Sequence, residues 1–387
     1  MNDLGGNVPN RVARGSGNPL RNRIDDIGSE PGSSVRFATS AELDRWDELI
    51  AANPDGGDLW RGRAYAELKK LGRYHPIYLV VDGMAVTVHE KRVPLLGRLW
   101  FLPGGPGAVD VAGVIDTVES LAVFARTRGV FAIKVEPKIR LDESDRRQLI
   151  DRGFRPARPI APNGSTVVLD ISGELDEVLD RIGRRARRSI RRAGRDGVIV
   201  ERVPASEANC RILYDLLAAT AGNRFGIRDL EYYSTCWRMY ESSGDGQMFF
   251  VRGEDEVIAG AFAMKFAQTS LYKEGASVRR QADSSAQCGL GAHGVGHAMQ
   301  WAIIQWAREN GCVRHDMCGA PPSALADDPT HPLHSVGEFK RGFTTEIIDH
   351  IGAYDLPLRR KAFAFWSTVG EREARRFSRL VRHDFYY

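Results

Sequence analysis

The densest chemistry in this sequence is cationic. The stretch RIGRRARRSIRRAGRDG, residues 181–197, sets eight arginines within fifteen positions. Leu175, Val178, Leu179, Ile182, Ala186, Ile190 and Ala193 recur at three- and four-residue spacing. That spacing predicts one helix with a narrow apolar face, stopped by Gly194 and Gly197. Arginines fill most of the remaining surface. So many like charges repel one another unless an anion meets them. The guanidinium fork suits phosphate, which RNA, a nucleotide sugar or lipid headgroups would supply. The alternative is a solvated face on a packed helix.

Three further features bear on chemistry. Asp316 follows a strand pattern in RHDMCG, where it reads either as a general base or as the cap of a turn. His293 and His297 stand four apart in HGVGH, without an acidic partner, so a helix start fits them better than a metal. Lys340, in GEFKRGF, is one of only nine lysines among 54 basic residues. The five cysteines have irregular spacing and no CxxC, which predicts reduced thiols rather than a disulfide framework. No metal and no cofactor is expected.

Composition is that of a globular protein, 43% hydrophobic and 27% charged, and the net charge of +4 is too mild to imply nucleic-acid binding by itself. No apolar run reaches the ~20 residues of a membrane-spanning helix, and the first residues lack the apolar core of a secretory signal. A cytoplasmic protein is the expectation. Residues 1–34, rich in Gly, Asn, Pro, Arg and Ser, are predicted to be disordered.

The elements that must position these residues come in two similar series. In the first, AELDRWDELI and RGRAYAELKKLG read as helices. PIYLVVDGMAVTVHE reads as a hairpin on an Asp-Gly turn, and GRLWFLP as a strand. DVAGVIDTVESLAVFARTRG reads as a long helix ending on Gly129, with the strand VFAIKVEP after it. In the second, ANCRILYDLLAATAG and LEYYSTCWRMYES are helices, QMFFVRGEDEVIAGAFAMKF a hairpin and TSLYKEGAS a strand. GHAMQWAIIQWARENG is a long helix ending on Gly311, followed by VRHDMCG. The repetition predicts twin α/β domains, each a mixed sheet flanked by helices, at residues 35–158 and 159–355, joined near the proline-rich FRPARPIAPNGS. The remainder, 356–387, reads as a basic amphipathic helix. Phe365, Trp366, Val369, Phe377 and Leu380 lie on one side of it, either docked on the protein or resting on an anionic membrane.

This order of elements resembles the acetyltransferase (GNAT-like) fold. Such enzymes hold a pyrophosphate on a Gln/Arg-x-x-Gly-x-Gly/Ala loop before the long helix. GLGAHGVGHAMQW supplies Gly294 and Gly296 but has Gly291 in the leading place, which disfavours an acyl-CoA donor.

STVVLDISGELDEVLDRIGRRARRSIRRAGRDGVIVE, followed by NRFGIRDLEYY, VIAGAFAMKF, LYKEGAS, HAMQWAIIQWARENG, RHDMCGAP and EFKRGF, resembles the Fem family of peptidoglycan-bridge aminoacyltransferases over about residues 35–355. The resemblance implies twin GNAT-like domains with a groove between them. It also implies transfer of an amino acid from aminoacyl-tRNA to the free amine of a lipid-linked or UDP-linked muropeptide. Residues 203–246 are too few for the helical arm some relatives carry, so the chain resembles the armless type. By the same pattern Lys340 would stabilise the oxyanion; Asp316, from its place at a strand end, is the candidate general base, with the substrate itself as the alternative source of that function. Lys69, Arg228, Tyr232 and Tyr272 would hold the acceptor, with Lys70 as the alternative in the Lys69 register. Phe339, Arg184, Arg188 and Arg191 would meet tRNA or phosphate. A ligase for a small antibiotic precursor, an acyl-CoA N-acyltransferase and a non-catalytic RNA- or envelope-binding protein are the other readings. The tail suggests peripheral contact with the inner face of the plasma membrane.

Overall fold

The computed structural model describes residues 35–160, 164–222, 226–253, 256–277, 294–381 and 385–386. Among these residues the strands are β1 Val35–Phe37, β2 His75–Val81, β3 Met84–Val93, β4 Gly97–Pro103, β5 Val130–Glu136, β6 Arg155–Ala157 and β7 Ser165–Asp170. The rest are β8 Val200–Val203, β9 Gly246–Arg252, β10 Val257–Phe266, β11 Thr269–Ser277, β12 Arg314–Gly319, β13 Ile348–Asp349 and β14 Ala353–Pro357.

They form two seven-stranded sheets, ordered β1-β2-β3-β4-β5-β14-β6 and β13-β7-β12-β11-β10-β9-β8. Written from the β8 end, the second repeats the first. Each runs through an antiparallel hairpin series, a parallel pair and a sixth strand brought from elsewhere. In the first sheet that strand is β14, from beyond residue 350, antiparallel to β5. In the second it is β7, which precedes the sheet's other long strands in sequence and lies antiparallel to β12. Twin mixed sheets are therefore as the sequence indicates, but a linear division at 158/159 and 355/356 does not describe them. β14, Ala353–Pro357, straddles the second of these boundaries and completes the first sheet, and the tail packs on that sheet too.

The long helices Val111–Thr127 and Val295–Glu309 follow from their burial pattern. Val114, Ile115, Val118, Leu121, Ala122 and Ala125 recur at three- and four-residue spacing in one, and Met299, Ile303, Ile304 and Ala307 in the other. Both are followed by a glycine in the left-handed region, Gly129 at φ 71° and Gly311 at φ 80°, which turns the chain into the parallel strand.

The parallel pairs differ where it matters. β4 and β5 stay paired over six residues, to Pro103–Glu136. β11 and β12 pair only over Thr269–Arg314, Ser270–His315 and Leu271–Asp316, and then part. The second sheet thus opens a wedge immediately beyond Asp316.

Several local expectations are corrected. The arginine-rich segment is two helices, Leu175–Arg181 and Arg184–Arg195, broken at Ile182 and Gly183. The break is tertiary. Gly183 N–H donates to Phe343 C=O at 3.1 Å, and a Cβ at Gly183 would lie 2.4 Å from Gly342 O. Gly194 lies inside the second helix, and the turn falls at Gly197, φ 74°. AELDRWDELI divides at Arg45 into Ser40–Asp44 and Trp46–Ala51. The tail is not one straight helix. Arg360–Phe365 passes through a wider turn at 366–370 into Glu371–Val381. It docks by one side only: Trp366 is buried and meets Phe131 edge-on at 5.9 Å, while Phe365 and Leu380 remain exposed.

Candidate active site

The wedge beyond Asp316 is built from β12 and the helix His334–Arg341. Cys318 adopts φ 59°, an unusual conformation for a residue with a side chain, so the end of β12 turns sharply. Asp316 holds that turn. Its Oδ1 accepts from Cys318 N–H at 2.7 Å and from the Thr166 hydroxyl. This is the turn-capping role, and the Asp316 Oδ2 has no hydrogen-bond partner among the described residues.

Gly337 lets the helix His334–Arg341 lie against the chain just past β12. A Cβ there would sit 2.4 Å from Pro321 Cδ. This packing carries Lys340 inward, to 5% exposure. Its Nζ donates to the carbonyls of Cys318 at 3.1 Å and Gly319 at 2.7 Å. An ammonium has three donors, and the third has no partner among the described residues. Burial lowers the Lys340 pKa, with Cys318 and Asp316 acting in the opposite direction. Lys340 is thus a desolvated point charge beside a carboxylate with one free oxygen.

A buried relay backs the wedge. His315 Nδ1 lies 2.8 Å from the Ser270 hydroxyl, and its Nε2 lies 3.1 Å from Gln300 Oε1. Burial pushes the His315 pKa down to about 4, so the ring is neutral near pH 7. Gln300 also bonds the hydroxyl of Tyr272, whose pKa burial pushes up to about 12. Tyr272 follows Leu271, the last residue of β11 paired with β12. The register slips beside it, where Phe262 opposes Glu274 and Ala263 opposes Tyr272, leaving Lys273 as the extra residue of a bulge. Gly275 makes room for the ring, since a Cβ there would lie 1.5 Å from Tyr272 Oη.

From the wedge a polar path leads toward the first sheet. Lys138, just past β5, pairs with Asp58 at 2.5 Å and lies within electrostatic reach of Asp316 and Cys318. Burial alone would lower its pKa, but Asp58 and Asp316 outweigh it and raise it. Lys273 pairs with Glu274 at 2.9 Å and interacts with Tyr232. Tyr232 and Arg228 both act electrostatically on Tyr65. The Arg228 guanidinium stacks on Tyr232 at 4.5 Å.

Lys69 is buried, its ammonium 4.7 Å from the Tyr74 ring and 5.7 Å from Tyr65. Lys70 points outward and pairs with Glu67 at 2.6 Å. The inward lysine is therefore Lys69. His89 sits among these rings, and burial together with Lys69 pushes its pKa down to about 3.

The chain terminus closes this end. Lys91 lies 4.4 Å from the Tyr74 ring and 4.0 Å from the Tyr386 ring, and donates to the Tyr386 carbonyl. Phe385 packs on Arg228 at 5.5 Å. Lys340 and Asp316 are linked to Tyr272 through Cys318, and Tyr272 to Tyr232, Arg228 and Lys69 only through Glu274, Lys273 and Tyr65. Sequence reasoning missed Thr166, Asp58, Lys91 and Lys138. For Lys91 and Lys138 the signal was lysine scarcity and, for Lys138, a place just past a strand end; Thr166 and Asp58 carried no such signal.

The arginine helix lies beside the Lys340 helix. Glu338 pairs with Arg185 at 3.7 Å, and Ala186 faces Gly342. Ala186, Ile190 and Ala193 are buried against the long helix Val295–Glu309. Arg187 and Arg192 pair with Asp180 and Asp196. Arg184, Arg188, Arg191 and Arg195 are exposed and have no ion pair among the described residues. Their spacing of four, three and four puts them on one face.

Phe339 is half-buried, edge-on to His297 at 5.0 Å and to Phe343 at 5.5 Å. His297 stacks on Phe343 at 5.6 Å, and burial lowers its pKa. His293, Gly291 and Cys288 lie outside the described residues. Gly294 approaches the arginine helix closely, since a Cβ there would lie 2.7 Å from Ser189 O. The arginine helix thus packs where the long helix begins.

Residues 181–329 match the model of the acetyltransferase (GNAT) domain. Lipid II:glycine glycyltransferase of Staphylococcus aureus strain MRSA252 is 25% identical, over 84% of this chain and 94% of that protein. The enzyme of strain USA300 is 26% identical over the same shares. The crystal structure of FemX superposes with a TM-score of 0.69 at 20% identity, covering 86% of this chain and all of that one. The chain thus carries twin GNAT-like sheets, shares the fold of FemX and is similar over most of its length to lipid II:glycine glycyltransferases.

Proposed function

We propose that the protein transfers an aminoacyl group from aminoacyl-tRNA to the free amine of a peptidoglycan-precursor stem peptide, building the interpeptide bridge. The observation that carries this reading is the pairing of a buried ammonium, Lys340, with a carboxylate oxygen left free on Asp316, at the point where β11 and β12 part.

An aminoacyl ester is already activated, so the chemistry is modest. The acceptor amine attacks the ester carbonyl, and the carbon–oxygen bond to the terminal ribose breaks. The proton lost by the amine passes through the Asp316 carboxylate to the departing ribose oxygen. The free N–H of Lys340 donates to the oxyanion that forms in between. The two carbonyls holding Lys340 fix its position before reaction, so little reorganisation is needed.

Lys69 and Arg228 supply charge for the acceptor's diphosphate, and Tyr232 and Tyr272 supply faces and hydroxyls for sugar or peptide. Arg184, Arg188 and Arg191, with Phe339 near their N-terminal end, take the tRNA acceptor end. The acceptor is lipid-linked, in keeping with the lipid II named for the aligned relatives, and the protein works at the membrane's inner face.

The test is a transfer assay with bulk tRNA charged with labelled amino acids and with lipid-linked and nucleotide-linked muropeptides in parallel. RNase-sensitive labelling of the lipid-linked acceptor is expected. Absence of labelling with active charged tRNA refutes the reading.

A further inference from the structure

The tail has a docked side and an exposed side, and the active-site reading uses neither. On the docked side, Trp366, Ala362, Phe363 and Ala374 pack against Val93, Leu99 and Phe131 of the first sheet. This fixes how the segment can turn. On the exposed side stand Phe365, Val369, Leu380 and Val381, with Phe365 55%, Leu380 64% and Val381 60% accessible. Isolated exposed apolar residues are ordinary. Here they recur along one helical segment whose other face is already anchored.

Charge accompanies them. Residues 359–381 hold seven basic and two acidic residues, a larger positive excess than the net +4 of the whole chain. Arg360, Lys361, Arg376 and Arg379 are exposed and have no ion pair among the described residues. Between this segment and the β6 edge lies a cleft of about 650 Å³, lined by Arg155, Arg158, Arg372, Arg375 and Phe363 and also by Asp355 and Glu371. Arg372 pairs with Glu373 at 3.0 Å, so the lining has four guanidinium groups to two carboxylates, an excess that suits a phosphate with a hydrocarbon body attached. No helix among the described residues is long and apolar enough to cross a membrane, so such a contact lies on the surface.

We infer that residues 359–381, with the cleft beside them, are the face by which this protein lies on an anionic lipid bilayer. Aliphatic and aromatic side chains entering the acyl boundary and arginines at the phosphates are the two contributions that hold interfacial helices. An RNA surface would use the arginines but leave Leu380 and Val381 in water, so the apolar row favours lipid.

Position agrees. Val381 precedes Phe385 by four residues, which span at most about 14 Å, and Phe385 packs on Arg228. The lipid face therefore ends beside the groove proposed for the acceptor. This point rests on the lipid-linked reading of that acceptor, whereas the surface itself does not.

The test is co-sedimentation of the full chain with phosphatidylcholine vesicles, with and without phosphatidylglycerol, in the absence of tRNA and acceptor. Binding is expected only to the anionic vesicles. The Arg376→Gln/Arg379→Gln variant should bind about 25-fold more weakly, at about fivefold per arginine near the surface. Leu380→Ser/Val381→Ser should lose roughly tenfold. Both variants should match the wild type in transfer to a soluble nucleotide-linked acceptor. Three results overturn the inference: no partition, equal partition on neutral vesicles, or partition untouched by both variants. Bulk RNA bound by this face in place of vesicles, and lost in the arginine variant, overturns it as well. Vesicle binding that persists while no acceptor is modified supports the surface and counts against the transfer reading alone.

Discussion

Lys340→Met tests the core of the mechanism, because it keeps the chain length and removes the charge. In the wild type two of three ammonium donors go to Cys318 O at 3.1 Å and Gly319 O at 2.7 Å, leaving one for the oxyanion. Losing one preorganised donor to an oxyanion costs about 2.7–4 kcal/mol, or about 10²–10³ in kcat. Stability changes less. Two charge-assisted hydrogen bonds, worth about 1.5–3 kcal/mol each, disappear, while the cost of desolvating an ammonium disappears with them.

The assay is single-turnover transfer at saturating charged tRNA and soluble acceptor, alongside calorimetry. A fall of about 10²–10³ in kcat with an acceptor KM within about threefold is expected, the pattern of an interaction made in the transition state. Burial lowers the Lys340 pKa, so wild-type kcat should fall with rising pH on a limb below the ordinary lysine value of about 10.4, as the ammonium is lost. The Met variant should lack that limb. A folded variant with kcat within about tenfold of wild type refutes the oxyanion role, since one donor is worth at least about 10². A loss that merely tracks the unfolded fraction does the same.

The exposed arginine row should act on the donor alone: Arg184→Gln/Arg188→Gln/Arg191→Gln should raise KM for charged tRNA and lower the salt-dependence slope by about 2–3, with kcat for bound tRNA unchanged, as read from titrations at several salt concentrations. Gly275→Ala should push Tyr272 from Gln300, since the new Cβ would fall 1.5 Å from its hydroxyl, and should weaken acceptor binding at least as much as Tyr272→Phe when the two are assayed side by side. Lys69→Met should raise the acceptor KM, whereas Lys70→Met, which loses only the surface pair with Glu67, should leave kinetics as they are. Stability should fall on the acid side: His315 is neutral in the fold with a pKa of about 4, whereas an unfolded histidine protonates below about 6.5, so the unfolded chain binds the extra proton between these values and denaturant midpoints should drop across that window. His315→Gln should flatten part of that drop.

The general-base assignment shows how far local sequence reasoning carries. The sequence puts Asp316 after a strand and allows two readings, cap and base; the structure puts it inside β12, where it is the last residue paired with β11, and shows the cap. The free Oδ2 became evident only once Thr166, 150 residues earlier in the chain, had taken the other oxygen. Family resemblance and the scarcity of lysine single out Lys340 in the sequence. Its burial and its two carbonyl partners depend on Gly337 meeting Pro321, which no spacing announces.

The sequence by itself determined the element order, the twin mixed sheets, the long helices with their glycine stops and the amphipathic tail. These follow from periodicity, turn chemistry and backbone permissiveness, which act over a few residues. The tertiary structure alone decided that β7 and β14 each complete a sheet away from their sequence neighbours, because strand pairing rewards the free edge that is available rather than the nearest one in sequence. It broke the arginine helix at Gly183, where the Gly342 backbone comes too close for any side chain. It also turned Lys69 inward and Lys70 outward. Adjacent helical residues point about 100° apart, and only docking against Tyr74 and the sheet selects which of them is buried.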